Sequence, residues 1–317
     1  DESSGISLKT KYDDTKKNIL QSCSHCGYTT IVYGAALHDC PVCRQHNTMQ
    51  GVKDISIGTN SYFTEIVEPA AFSVSFGYEP RRTMRPKSSM DLIQPVLLNM
   101  VPWPTKRTND LYAMRCSTPQ SEILVYNKGK GKGYAYCPYC GVMKSESHYQ
   151  GEVNDDAPLA LHKHFETGGT CDGAGANGQH IHRNVLLVGH YQTDFVELKF
   201  YNGKHQEILD EETLYSLGVI ISRKLTEILG VNEGEIDFGY CGNYHSIFIY
   251  DTAIGGAGYS TLLRDYKEIV LDEALKSLNM CDCSSACTHC LIDRHSQWYI
   301  NYLDRIKALK WLQVEHD

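Results

Sequence analysis

Cysteine spacing constrains this chain more than any other feature. Cys23-Ser24-His25-Cys26 is followed, thirteen residues later, by Cys40-Pro41-Val42-Cys43. Two C-x-x-C turns each present two thiolates, and four thiolates complete one tetrahedral zinc at bond lengths of about 2.3 Å. The intervening Gly27–Asp39 segment (TTIVYGAAL) reads as a small hairpin, so residues 21–50 are expected to form a zinc ribbon. The rival reading, two redox pairs, calls for a surrounding βαβ pattern that the sequence lacks.

A second set opens with Cys137-Pro138-Tyr139-Cys140-Gly141, a knuckle in composition. His162, His164, Cys171, His180 and His182 follow. Cys137, Cys140, His164 and Cys171 are the expected ligands, with His162 the competitor. A third set, Cys281, Cys283, Cys287 and Cys290, places four thiols within ten residues. Such crowding disfavours two unstrained disulfides and suits one metal. Zinc is expected at all three sites, with an iron–sulfur cluster the alternative at the third.

These sets use eleven of the thirteen cysteines, leaving Cys116 and Cys241, which are expected to be ordinary buried thiols. Each is a closed four-ligand set with no position for a catalytic water, so the metals read as structural. The formal charge is −8. Eleven thiolates and three Zn²⁺ take it to about −13, on the order of the closed-site stoichiometry above. That excludes nucleic-acid binding by the surface as a whole and restricts any such contact to local basic loops. The candidates are Arg81, Arg82, Arg85 and Lys87, a smaller pair at Lys106 and Arg107, and Lys128, Lys130 and Lys132 on a Gly/Lys tip beside Tyr134, Tyr136 and Tyr139.

The 317 residues, 42% hydrophobic and 21% charged, have an ordinary globular composition with chain enough for about two domains. No apolar run approaches the roughly 18 residues of a spanning helix, and no signal peptide is evident, so a soluble cytoplasmic chain is expected. A start at Asp1 rather than Met suggests a fragment or processed chain.

Along the chain, residues 1–20 read as linker, 21–50 as the ribbon and 51–135 as a β-rich region with basic loops. Residues 136–317 read as an α+β zinc-binding domain. Val185–Val188, Phe195–Phe200, Glu235–Tyr240 and Ser246–Tyr250 are expected strands. Asp210 is expected to cap a helix that buries Leu214, Leu217, Ile221, Leu225 and Ile228 and ends at Gly230. Further helices are expected over Tyr259–Leu278 and Gln297–Leu312. The fold class is α+β: a mixed or antiparallel sheet with flanking helices plus zinc-ribbon and zinc-knuckle modules.

The turn Gly255-Gly256-Ala257-Gly258, between a strand and a helix, has two readings. It cradles a phosphate with its amides, or it lets helix and sheet pack closely. No nucleophile–base–orienter spacing and no magnesium-binding carboxylate set supports a hydrolase or nuclease, which stands as a third and lesser reading.

The run YCPYCG, Cys171, LLVGHYQTDFVELKF, IFIYDTAIGGAGYSTLL, CDCSSACTHCL, Gln297, Asn301 and LDRIKALKWL resembles the C-terminal zinc-binding domain of MrfA-type superfamily 2 DNA helicases. The same module occurs in DrmB of the DISARM antiphage system and in Druantia defence proteins. The resemblance covers roughly residues 120–315 and implies zinc ligation by the third cysteine set. It also implies a parent or partner that carries a helicase motor, in antiviral defence or DNA repair. A motor needs G-x-x-x-x-G-K-[ST] and a magnesium-binding Asp-Glu. Gly129–Gly133 lacks the Ser/Thr, and Asp272-Glu273 falls within an expected helix. The chain is therefore expected to bind DNA or dock the motor without being an enzyme itself, or to serve as a brace that touches no nucleic acid.

Overall fold

A computed structural model describes residues 6–10, 18–52, 63–73, 95–100, 103, 111–119, 121–128, 132–146, 158–164, 167–175, 178–242, 244–293 and 296–316. The strands are β1 (Ile6–Thr10), β2 (Asn18–Cys23), β3 (Thr29–Tyr33), β4 (Met49–Gln50), β5 (Thr64–Val67), β6 (Pro69–Ser73), β7 (Val96–Leu98), β8 (Tyr112–Cys116), β9 (Glu122–Asn127), β10 (Tyr134–Tyr136), β11 (Val142–Ser145), β12 (His182–Tyr191), β13 (Phe195–Phe200), β14 (Ile236–Cys241) and β15 (Ser246–Asp251). The helices are α1 (Glu211–Leu229), α2 (Leu263–Asn279) and α3 (Arg305–His316). This is an α+β fold. Among the described residues no helix is long and apolar enough to cross a membrane.

The chain divides into two compact units, each assembled from separated segments: residues 1–93 with 125–189, and 94–124 with 190–317. The stretch read as linker carries β1 and the start of β2, and the region from 136 onward is shared between the units.

The first unit holds a mixed sheet in the order β3-β2-β5-β12-β10-β11-β1-β6, with β4 against β2. Its pairs are antiparallel except β5 with β12, where Leu186 and Leu187 lie opposite Ile66 and Val67. Two of its hairpins turn on cysteine pairs. β2 and β3 pair from Asn18–Tyr33 to Ser22–Thr29 around Cys23–Cys26. β10 and β11 pair around Cys137–Cys140. The hairpin expected within Gly27–Asp39 is thus a hairpin that wraps the first C-x-x-C. The reason is that β3 has its apolar partner in Ile19 and Leu20, which precede the knuckle and are buried.

The second unit holds the antiparallel sheet β14-β15-β13-β8 and a ribbon in which β7 pairs with Glu122–Leu124 of β9. Helix α1 lies on the sheet. Gly218 admits the Phe238 ring, which a Cβ at that position would meet at 2.4 Å. Leu214, Leu217, Ile220 and Leu225 are fully buried on its inner face, each contributing about 1.5–3 kcal/mol. The Asp210 side chain accepts from the Thr213 N–H, and Gly230 closes the helix at φ 65°. On the other side of β13 the carboxylate of fully buried Glu197 accepts from Arg115 Nε (2.5 Å), Trp103 Nε1 (3.2 Å) and Ser246 Oγ (2.5 Å). A buried charge persists only when it is satisfied in this way.

The helix expected over Gln297–Leu312 is two elements. A 3-10 stretch covers Ser296–Tyr302, and α3 starts at Arg305. Asp304 breaks the run because its Oδ1 takes the Lys307 N–H (3.1 Å), as an N-cap does.

Candidate metal centres

In the first unit, Cys23, Cys26, Cys40 and Cys43 converge, with their sulfurs within 4.8 Å of one another. The Cys23–Cys43 and Cys26–Cys40 sulfur pairs are both 3.7 Å apart. Four sulfurs at bond lengths of ~2.3 Å from one tetrahedral ion stand roughly 3.8 Å from each other, so the set fits zinc. The backbone makes this arrangement. Gly27 N–H donates to Cys23 O (2.8 Å) and Arg44 N–H to Cys40 O (3.0 Å), with Gly27 at φ 73° and Arg44 at φ 58°. Each knuckle therefore closes through a left-handed residue just after its second cysteine. Gln21, fully buried, joins the two halves. Its Nε2 donates to Leu37 O (3.0 Å), and its Oε1 accepts from Leu37 N–H (2.8 Å).

The second set is Cys137, Cys140, His162 and Cys171. Gly141 N–H donates to Cys137 O (2.8 Å), with Gly141 at φ 75°, which repeats the first knuckle. The histidine that completes the set is His162, in place of the expected His164. His162 Nε2 lies 3.1 Å from Cys140 Sγ, and its Nδ1 lies 2.8 Å from Leu159 O. A proton held on Nδ1 by that carbonyl leaves the Nε2 lone pair for a metal. Strand register explains the exchange. Cys171 N–H donates to His162 O (3.0 Å), so these two residues are direct cross-strand neighbours. His164 lies two residues further, ~6.6 Å along a strand, at the turn where Gly168 N–H donates to its carbonyl. Its ring stands edge-on to Tyr139 at 6.3 Å.

The third set, Cys281, Cys283, Cys287 and Cys290, lies in the second unit after α2. Its sulfur separations include 3.4 Å (Cys281–Cys287), 3.5 Å (Cys283–Cys290) and 3.7 Å (Cys287–Cys290). Two arginines hold the loop, and nothing in the sequence pattern marks them. Buried Arg305 donates from Nε to Cys283 O (2.9 Å) and from Nη1 to Leu278 O (2.9 Å), while its N–H reaches Ser285 O (2.6 Å). Arg223 of α1 donates from Nη1 to Cys290 O (2.5 Å) and from Nη2 to Asp293 Oδ2 (3.0 Å).

Thiol acidities within the sets diverge, as they must where like charges crowd together. Burial pushes Cys140 and Cys290 up to about 12. At Cys23 burial is outweighed by the hydrogen bond with Thr48 Oγ1 and by those from the Cys26 and His25 backbone, which bring the thiol down to about 6. The His289 N–H and the Cys281 thiol hold Cys287 down to about 6. Four thiolates within 4.8 Å of one another call for a dication at their centre.

The glycine turn proves to be internally occupied. The carboxylate of fully buried Asp251 accepts from the N–H groups of Ala257 (2.7 Å), Tyr259 (3.1 Å) and Ser260 (2.7 Å), and Asp194 accepts from Gly258 (3.1 Å). A Cβ on Gly256 would stand 2.2 Å from Asp194 Oδ2. The amides that would face a phosphate are thus taken within the protein, those of Ala257, Gly258, Tyr259 and Ser260 by carboxylates and those of Gly255 and Gly256 by the Gln192 and Ala253 carbonyls, and Gly256 serves close packing. Among the proposed nucleic-acid contacts, Lys128 and Lys132 are partly exposed, and Lys128 Nζ lies 5.7 Å from the Tyr126 ring centroid. Arg81, Arg82, Arg85, Lys87, Lys106, Arg107 and Lys130 lie outside the described residues.

Residues 217–291 match the family described as MrfA Zn-binding domain, a span that runs from α1 through the third cysteine set. The Druantia protein DruE of Escherichia coli is 24% identical over 199 residues, which is 56% of this chain and 10% of that protein. Both findings bear out the resemblance to MrfA-type and Druantia-type proteins. An uncharacterized protein of Methanocaldococcus jannaschii, MJ1572.1, is 31% identical over 67 residues, 21% of this chain and 60% of that protein. The chain thus spans a tenth of the first relative and three-fifths of the second. A solved structure titled "Crystal Structure of DUF1998 helicase MrfA bound to DNA" has a TM-score of 0.41 at 11% identity, over 70% of this chain and 25% of that one.

Proposed function

We propose that this chain is a zinc-stabilised accessory region of a helicase-like machine of antiviral defence or DNA repair. Three structural zinc ions fix its loops, and a local basic and aromatic surface contacts DNA. The observation that carries the reading is the third cysteine set, which closes the segment matching the MrfA Zn-binding domain. Its sulfur spacings suit one tetrahedral ion. A four-iron cluster, whose thiolates each bind a different iron, holds its sulfurs much farther apart than the 3.4–3.7 Å found here.

DNA contact is supported by the second metal centre. Tyr139, at the tip of its knuckle, is 71% exposed beside His164. An exposed aromatic ring can stack on an unpaired base, at about 1–3 kcal/mol per base. The basic stretch from Arg81 to Lys87 supplies further charge by sequence.

Fluorescence anisotropy with labelled single- and double-stranded DNA at ~50 mM salt tests this, because phosphate contacts are strongest there. Binding should weaken at least several-fold when Lys128, Lys130 and Lys132, or Arg81, Arg82 and Arg85, become Ala. It should also lose part of its salt slope. Tyr139→Ala should weaken binding to single strands more than to duplex. Absence of DNA affinity at that salt leaves the brace, the function that the holo charge of about −13, on the order of three closed sites, favours. The role of the motor then falls to a parent or partner chain, which co-purification with a helicase subunit would identify.

A further inference from the structure

The second unit contains a cavity that neither the metal centres nor the nucleic-acid surface uses. It encloses about 120 Å³ between α1, the start of β14 and the segment after the third cysteine set. That is far above the ~10–15 Å³ that admits one water. Its floor is apolar: Val219, Ile236 and Phe238 line it, and all three are buried. Its rim is acidic, with Glu227, Glu233, Asp237 and Asp293. Arg223 is the one cation among the lining residues, so the lining carries a net charge of −3. Arg223 is also committed elsewhere, with Nη1 on the Cys290 carbonyl and Nη2 on Asp293. Lys224, just outside the lining, reaches Glu227 at 2.7 Å.

An apolar floor under an acidic rim selects its occupant. A hard divalent cation requires about six or more oxygens on all sides, which this floor does not offer. An ammonium is strongly hydrated and resists burial. A guanidinium is weakly hydrated, lies flat on an aromatic or aliphatic surface and forks to carboxylates. We propose that the cavity docks an arginine side chain presented by a partner polypeptide. The stem rests on Val219 and Ile236, the guanidinium lies towards the rim, and Glu233 accepts its hydrogen bonds. The surface is of opposite charge to the one proposed for DNA, so it is a second, separate interaction site. Through Arg223, its wall is continuous with the carbonyl of the ligand Cys290.

The test uses the full zinc-loaded chain with methyl-labelled Val and Ile, titrated with a Gly-Ser-Gly-Arg-Gly-Ser peptide. The expected result is a saturable shift of the Val219 and Ile236 methyl resonances. A citrulline peptide, which keeps shape and loses charge, should produce none, and a lysine peptide should bind several-fold more weakly. Glu233→Gln, at an exposed position, should weaken binding at least threefold. Glu273→Gln, on α2 away from the cavity, should leave it unchanged. Silent methyls at millimolar arginine peptide would overturn the proposal. So would equal response to citrulline, or equal weakening by Glu273→Gln. Equal affinity for the lysine peptide would overturn the choice of arginine.

Discussion

At the scale of single residues, function in this chain rests on groups that orient a ligand as much as on the ligands themselves. His162 has both features of a metal-binding imidazole: Nε2 beside Cys140 Sγ and Nδ1 tied to the Leu159 carbonyl. His164 has neither. His162→Ala should therefore lower the zinc content by one equivalent per chain, or weaken that site by more than the 10–100-fold typical of losing a supporting contact. His164→Ala should leave the content unchanged; atomic emission on the purified variants reads both outcomes. The two histidines are two residues apart, so a strand turns both to one face, and spacing alone had no means of separating them. The deciding fact is that Cys171 lies opposite His162, a cross-strand register visible only in three dimensions. Arg305 is the equivalent device at the third set. Arg305→Met strips donors from the Cys283 and Leu278 carbonyls. An unpaired buried acceptor costs about 1–3 kcal/mol, so a clear fall in the chemical denaturation midpoint is expected. Arg305→Lys should recover only part of it, since one ammonium on a flexible stem replaces a planar fork.

At the scale of elements, capping and packing separate what was legible in the sequence from what was not. Helix α1 was legible at both ends because its signals are local: Asp210 before the apolar face and Gly230 after it. Asp210→Ala should cost about 1 kcal/mol. The same cap sets a pH dependence. Burial alone would raise the Asp210 carboxyl, but the Thr213 hydroxyl and N–H together with the Lys307 ammonium overcome that and hold it below the ordinary carboxylate range. A carboxyl depressed in the folded state contributes stability that is fully present above its unfolded value of about 3.9 and is lost as pH falls through the folded value. The contribution is small, because the side chain is 44% exposed and solvent screens it. Urea midpoints of the zinc-loaded wild type and Asp210→Ala should therefore differ at pH 7, and the difference should begin to shrink only as pH falls to about 4. The β2–β3 hairpin was not legible, because its first strand, NILQSC, alternates poorly and owes its place to pairing with β5 on the far side. The turn at Gly255–Gly258 was legible as a turn but not in purpose. Its glycines suit an external anion as well as an internal one, and only the position of Asp251 and Asp194 decides between them. On β14, Gly239 leaves room for the Phe248 ring, which a Cβ there would meet at 2.3 Å. Gly239→Ala should destabilise the second unit by about 1–3 kcal/mol as an overpacked site does, measurable by thermal melting.

At the scale of the whole molecule, metal content and stability are one question. The first unit holds two of the cysteine sets and the second holds one. A structural zinc contributes roughly 10 kcal/mol or more of apparent binding free energy at neutral pH, as much as the net stability of an ordinary domain. Metal loss should therefore unfold the unit that loses it. Zinc binding also requires deprotonated thiols, and burial pushes Cys140 and Cys290 up to about 12. Zinc offsets that desolvation, and acid competes with it for the sulfurs, so zinc release should accompany a fall in pH, with three equivalents recovered per chain at the end of an acid titration. Cobalt exchange distinguishes the sites within that total. Two all-sulfur centres and one with three sulfurs and a nitrogen should give absorption bands in a two-to-one ratio, and His162→Cys should convert the minority spectrum to the majority one. A zinc count of two, with iron and visible colour in the protein as isolated, would instead place an iron centre at Cys281–Cys290. Proteolysis after chelation should then cut the second unit only when iron, and not zinc alone, has been removed.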